Sequence, residues 1–145
     1  MSFRTFDDVI VGETIDCGTN SVTREEIVTF GEKYDPLTIH TDPEAAADSA
    51  FGDVIASGSH TLALTQAPTV EHFYADSDIV AAGHIEDLRF PAPLRPGDTI
   101  RVTLEIEDKR LSETRDDRGV VTARRTATVE GDLVLSLRNH TVWER

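Results

Sequence analysis

The sequence predicts an α+β fold in which a curved antiparallel sheet wraps one long buried helix. Three observations carry this reading. Residues 57–70 hold no acid and no lysine or arginine and are mostly small or apolar, the mark of a helix buried on nearly every side. Residues 99–107 alternate strictly: Ile100, Val102, Leu104 and Ile106 fall between Thr99, Arg101, Thr103, Glu105 and Glu107, as in a strand with one wet and one buried face. The strand-like runs after it, 120–129 and 133–143, are long enough for a strongly curved sheet. At 145 residues the chain is expected to be one domain, 1–145, with length enough for a core.

The elements follow in order. A strand over 12–22 is expected to set Ile15, Cys17 and Thr19 on one face. Thr23 with Glu26 three residues later is a capping box, and the helix it opens carries Ile27, Val28, Phe30 and Tyr34 at helical spacing. Next comes Tyr34-Asp35-Pro36-Leu37-Thr38-Ile39-His40-Thr41-Asp42-Pro43. Each proline fixes its own φ and turns the residue before it away from the helical region, which predicts an ordered, non-helical connection. Asp42 as N-cap and Pro43 at the first position start a short helix over 43–48, where Ala45, Ala46 and Ala47 permit close packing. The buried helix spans about 55–73, with Ser57 as its cap and with Pro68 expected to kink it or end its regular part. Strands are expected at 79–90, 99–107, 120–129 and 133–143. Pro91 and Pro93, the turn Arg95-Pro96-Gly97-Asp98 and a hairpin loop at Asp116-Asp117-Arg118-Gly119 punctuate them, and Leu133, Leu135 and Leu137 should share a face.

Composition excludes several classes. Acids number 27 against 14 bases, for a net charge of −13, and only Lys33 and Lys109 are lysines. Such a field repels nucleic acid and anionic membranes, so neither is an expected partner. The periodic apolar pattern excludes an acidic disordered chain. Acid excess with so little lysine resembles proteins of salt-loving organisms, whose salt screens the self-repulsion; the alternative is a merely acidic mesophilic protein. No apolar run approaches the roughly 18 residues of a membrane span. The segment from Met1 to Asp8 has no basic region followed by an apolar one, so no leader is read there. Cys17 stands alone, which permits no intramolecular disulfide and fits a reducing, cytoplasmic setting.

The proline-pinned loop carries the chemistry. An Asp and a His brought to one water form a general acid/base pair near neutral pH. Asp35 and His40 are the candidates; the alternative is that Asp35 only ends a helix and His40 only packs. Gly58 begins the buried helix, where a glycine lets the backbone approach a ligand and the helix dipole favours negative charge. His40, His60, His72, His84 and His140 lack metal-ligand spacing and there is no paired cysteine motif, so no metal is expected. His60 should be a hydrogen-bonded core histidine, and His72 and His84 should lie on the surface. Neither a Gly-x-Ser-x-Gly elbow nor a glycine-rich phosphate loop is present.

Asp35 through Pro43, the alanine-rich 44–47, Phe51-Gly52-Asp53-Val54 leading to Gly58, and the later Arg95-Pro96-Gly97-Asp98-Thr99 together resemble the MaoC-like dehydratases. These are hot-dog-fold relatives of the (R)-specific enoyl-CoA hydratases, and the likeness runs from Phe6-Asp7-Asp8-Val9 to the last strands. The resemblance implies reversible hydration of a trans-2-enoyl thioester of CoA or an acyl carrier, with no cofactor beyond that substrate. It implies that Asp35 and His40 hold the water and that the Gly58 N–H binds the enolate oxygen. Ser57, Ser59 and Thr65 are candidates for substrate-binding hydroxyls, and Arg89 and Arg95 for contacts to CoA phosphates. It also implies a homodimer whose two sheets join. The residues between Asp35 and His40 depart from the hydratases' usual Asp-x-Asn-Pro-x-His, since Pro36-Leu37-Thr38-Ile39 contains no Asn. Two rival readings are a hot-dog acyl-CoA thioesterase and a non-catalytic subunit that binds acyl thioesters.

Overall fold

The computed structural model describes residues 4–145, so the first three residues of the segment read for a leader lie outside it. The described chain holds β1 (Thr14–Ser21), α1 (Arg24–Tyr34), α2 (Thr38–Thr41), α3 (Pro43–Ala47), α4 (Gly58–His72), β2 (Ile79–Arg89), β3 (Thr99–Leu111), β4 (Arg118–Val129) and β5 (Asp132–Glu144). The strands form one antiparallel sheet in the order β1-β3-β4-β5-β2, and α4 packs across β1 and β3. Alternation in β3 is as expected: Ile100, Val102, Leu104 and Ile106 are all buried, and they meet Leu135, Leu137 and Trp143 of β5 in one core.

Two departures from the expected faces come from register slips. In β1 the pairing shifts between Asp16 and Thr19, where Gly18 adopts φ 81° and donates its N–H to Asp16 Oδ1. Such a bulge rotates the following residues, so Thr19 is exposed rather than beside buried Cys17. In β4 and β5 the register shifts between Ala127 and Thr128. Val134 and Leu135 are both buried and Leu133 is left outside, so the three leucines do not share a face. The β4–β5 turn uses Glu130 (φ 50°) and Gly131 (φ 89°), two positive-φ residues whose twist matches that of the flanking strands.

The helix signals act as written. Thr23 Oγ1 accepts from the Glu26 N–H at 3.1 Å while Glu26 Oε1 accepts from the Thr23 N–H at 2.9 Å. Asp42 Oδ1 accepts from the N–H groups of Glu44 and Ala45, and Pro43 occupies the first position of α3. The connection before it is not wholly non-helical, because Thr38–Thr41 closes one turn, α2. Asp35 and Asp42, each before a proline, remain outside the helical region, and the turn fits between them.

α4 starts at Gly58 rather than near Ile55, and it stays helical through Pro68. A proline in a helix interior leaves the carbonyl four residues earlier without its N–H, here that of Leu64. Asn20 Nδ2 of β1 donates to the Leu64 carbonyl at 3.0 Å and replaces the lost bond. The buried threonines of α4 are satisfied within the helix, Thr61 by the Ser57 carbonyl and Thr69 by the Thr65 carbonyl. Burial is not all-round: Ala63, Ala67 and Val70 are exposed in this chain. Asn20→Ala should destabilise the fold by about 1–3 kcal/mol, since it orphans a backbone carbonyl. The loss should be smaller in a Pro68→Ala background, which restores an N–H to the same position. Thermal melts of the four proteins check this, and equal losses in both backgrounds would contradict it.

Candidate active site

Asp35 caps the C-terminus of α1, its N–H bonded to the Gly31 carbonyl at 2.9 Å. Pro36 ends that helix, and the single turn of α2 brings His40 back toward Asp35. The two segments touch at Gly31. A Cβ there would lie 2.8 Å from the His40 carbonyl oxygen and 2.9 Å from its Cβ, so only hydrogen fits between α1 and α2. Asp35 Oδ2 stands 3.5 Å from His40 Nε2. His40 is buried, and its Nδ1 lies 2.7 Å from the Ile55 carbonyl. A carbonyl only accepts, so Nδ1 carries the hydrogen; whenever the ring is neutral, the Nε2 lone pair then faces the Asp35 carboxylate. Two facing acceptors do not bond each other. They can share a molecule that offers a hydrogen to each.

The imidazole opens on a cavity of about 350 Å³ lined mainly by Phe51, Ile55, Gly58, Thr61, Phe90 and Leu94. Its walls are apolar apart from His40 and the start of α4. The Ala56 N–H donates to the Leu94 carbonyl at 2.9 Å, which ties the entry of α4 to the segment after the prolines. At that entry the first N–H groups have no partner within the helix. Ser57 Oγ takes the N–H of His60 at 3.1 Å and leaves those of Gly58 and Ser59 free of the helix ladder. A Cβ on Gly58 would stand 2.8 Å from the Phe90 ring, so the glycine lets that ring close over the helix start.

His40 and Gly58 therefore line one cavity, and Asp35 stands beside His40 outside that lining. Arg95 is exposed and donates to the Phe51 carbonyl at 2.7 Å, at the edge of the cavity. The other candidates lie elsewhere. Ser57 is buried as a cap, and Ser59 is exposed outside the lining. Thr65 is buried a further two turns along α4, donating to the Leu62 carbonyl at 2.7 Å and accepting from Arg125 Nη1 at 3.1 Å. Arg89 is exposed and pairs with Asp87 at 2.8 Å.

Residue types alone did not disclose Gly31, Phe90 or the Ile55 carbonyl. A glycine in the last turn before Asp35 was a visible signal, because glycine weakens a helix and needs a packing reason. A backbone carbonyl gives none. His60 is buried as expected but is not hydrogen-bonded through Nδ1. It stacks on Phe30 at 4.4 Å, and burial pulls its pKa below the usual histidine value. His72 and His84 are exposed. The histidines do not all stay apart: the ligand atoms of His84, Glu86 and His140 lie within 4.8 Å of one another.

Known proteins share this frame. A MaoC-like dehydratase from Rhodospirillum rubrum superposes with a TM-score of 0.88 at 32% identity, covering 97% of each chain. The 3-hydroxyacyl-thioester dehydratase Z of Mycobacterium tuberculosis is 38% identical over 87 residues, 57% of this chain and 56% of that one. The uncharacterized protein YdeM of Bacillus subtilis is 28% identical over 116 residues, 80% of this chain and 81% of that one. The model of the MaoC like domain matches residues 9–130. That match takes in α1, the Asp35–His40 loop, α4 and most of the sheet, and on this ground the chain belongs to the MaoC-like domain family, with its hot-dog fold.

Proposed function

We propose that this protein is a hydro-lyase that adds water reversibly across the C2–C3 double bond of a trans-2-enoyl thioester carried by CoA or an acyl carrier. The observation that carries the reading is the Asp35–His40 pair, 3.5 Å apart, with His40 Nδ1 fixed on the Ile55 carbonyl beside the start of α4. A water between the two acceptors donates one hydrogen to each. As its oxygen bonds to C3, the pair takes one proton, and it returns one to C2 when the enolate collapses. Hydrogen and hydroxyl thus add from one face, and the pair ends as it began. The thioester oxygen, negative in the enolate, is held by the free N–H at Gly58 with the dipole of α4 behind it. The dehydratase names of two relatives support the same reaction. The thioesterase alternative needs a carboxylate on or just before the central helix; α4 has none before Glu71, and Asp53 on the approach to it is paired with Arg24 and does not line the cavity.

Crotonyl-CoA hydration, followed with thiol release in parallel, tests the reading. Asp35→Asn and His40→Gln should each lower kcat by on the order of 10²–10⁴-fold with the fold intact by circular dichroism. The double variant should be little worse than the worse single one, because the pair acts as a unit. Gly58→Ala should lower turnover by displacing the Phe90 ring. Folded single variants with near-native turnover would overturn the assignment, and thiol release without hydration would replace it with hydrolysis.

The working form is proposed to be a homodimer. β2 is exposed from Val80 to its end, with Val80, Ile85 and Leu88 uncovered and one row of backbone groups unpaired. Pairing two β2 strands would satisfy that edge, and it would give the exposed apolar side chains of α4 a surface to meet. Light scattering should give twice the chain mass, and a monomer at high salt would contradict it.

A further inference from the structure

The outer face of the sheet carries a cluster that the hydration chemistry does not use. His140 of β5 alternates with buried Asn139 and Thr141, so it points away from the core. Its register partner on β2 is His84, and the two rings stack at 4.0 Å with 13° between their planes. Glu86, two residues along β2 on the same face, places Oε1 at 2.8 Å from His140 Nε2. The strands come close here because β2 has glycine at 83: a Cβ there would stand 2.9 Å from the His140 carbonyl oxygen. Register slips on both sides of the cluster, between Ala82 and His84 and between Glu86 and Arg89, re-aim its side chains, and Asp87 takes φ 55° within the second.

We propose that His84, Glu86 and His140 form a binding site for one divalent transition cation of the zinc type, which fastens the edge strand β2 to β5. Two imidazoles and a carboxylate are a recurrent three-ligand set for zinc, with a fourth position left to water. Ligands on a tetrahedral ion sit about 3.4 Å apart, so atoms within 4.8 Å are near enough to share one, and the stacked rings must swing apart on the solvent-facing sheet to turn their nitrogens onto it. His140 is also oriented for the task. Thr122 Oγ1 lies 3.0 Å from its Nδ1, and as acceptor of the Nδ1 hydrogen it lets Nε2 take the metal once the hydrogen that Nε2 now donates to Glu86 is released. The His84 ring nitrogens bond to no protein group among the described residues; the ring is held by its stack on His140, and its nitrogens are open to a ligand. The surroundings do not oppose a cation. Arg138 lies 3.6 Å from Glu86, but Arg138 and Arg124 also meet Glu107, so two guanidiniums are matched by two carboxylates. The net charge of −13 draws cations to the surface as a whole.

The test is titration of chelator-treated full-length protein with zinc chloride alone, read by calorimetry and by competition with a chromophoric chelator. One equivalent per chain is expected. His84→Ala and His140→Ala should each weaken binding by more than tenfold, and Glu86→Gln by about tenfold. Thr122→Val, which keeps the shape but removes the orienting hydroxyl, should weaken it by roughly 10–100-fold. If His140→Ala does not fold, His84→Ala on the exposed strand reads the same site. No binding, or binding that His84→Ala leaves unchanged, would overturn the proposal.

Discussion

Two backbone groups of one residue hold this site together. The Ile55 N–H donates to the Ile39 carbonyl at 2.9 Å, and the Ile55 carbonyl accepts from His40 Nδ1 at 2.7 Å. The first bond ties the α2 turn to the strand-like approach to α4, and the second sets the tautomer and plane of the imidazole. Gly31 then lets α1 lie against α2, so that Asp35 reaches the free side of the ring. A bond to the same carbonyl from any other atom of His40 would aim Nε2 away from the carboxylate. The acid/base geometry is thus fixed by main chain on one side and by the absence of a side chain on the other. Ala56, next along, ties the same segment to Leu94, so the apolar cavity and the acid/base pair are built on one crossing.

α4 shows how a helix with polar residues serves as a core. Its threonines bond to carbonyls of their own helix, and its interior proline is answered by Asn20 from β1. These bonds let the helix bury hydroxyls and a missing N–H without orphaning them, and they leave the first turn rigid enough to present Gly58. The hydrogen-bonded threonines also explain why Thr65, a plausible substrate contact by residue type, instead meets Arg125 beneath the helix.

What the sequence disclosed was local chemistry. Thr23 with Glu26, Asp42 with Pro43, and the alternation of β3 are interactions between residues within a few positions of one another. The Asp35–His40 spacing is likewise local, and with the flanking motifs it led to the family. What stayed hidden depends on pairing across the chain. Thr19 and Leu133 left their expected faces because bulges shifted the register. His84 and His140, 56 positions apart by their numbers, meet only because β2 pairs with β5. Pro68 looked like a break until Asn20, far away in sequence, supplied the missing donor.

The central claim is that His40 carries its hydrogen on Nδ1, so that Nε2 faces Asp35 as an acceptor. Nitrogen-15 NMR of histidine-labelled protein reads this directly, with the His40 signals assigned by their loss in His40→Gln. At a pH where the ring is neutral, the account predicts a protonated Nδ1 and an unprotonated Nε2. A proton on Nε2 would contradict it, because that ring could not accept a hydrogen from a water shared with Asp35.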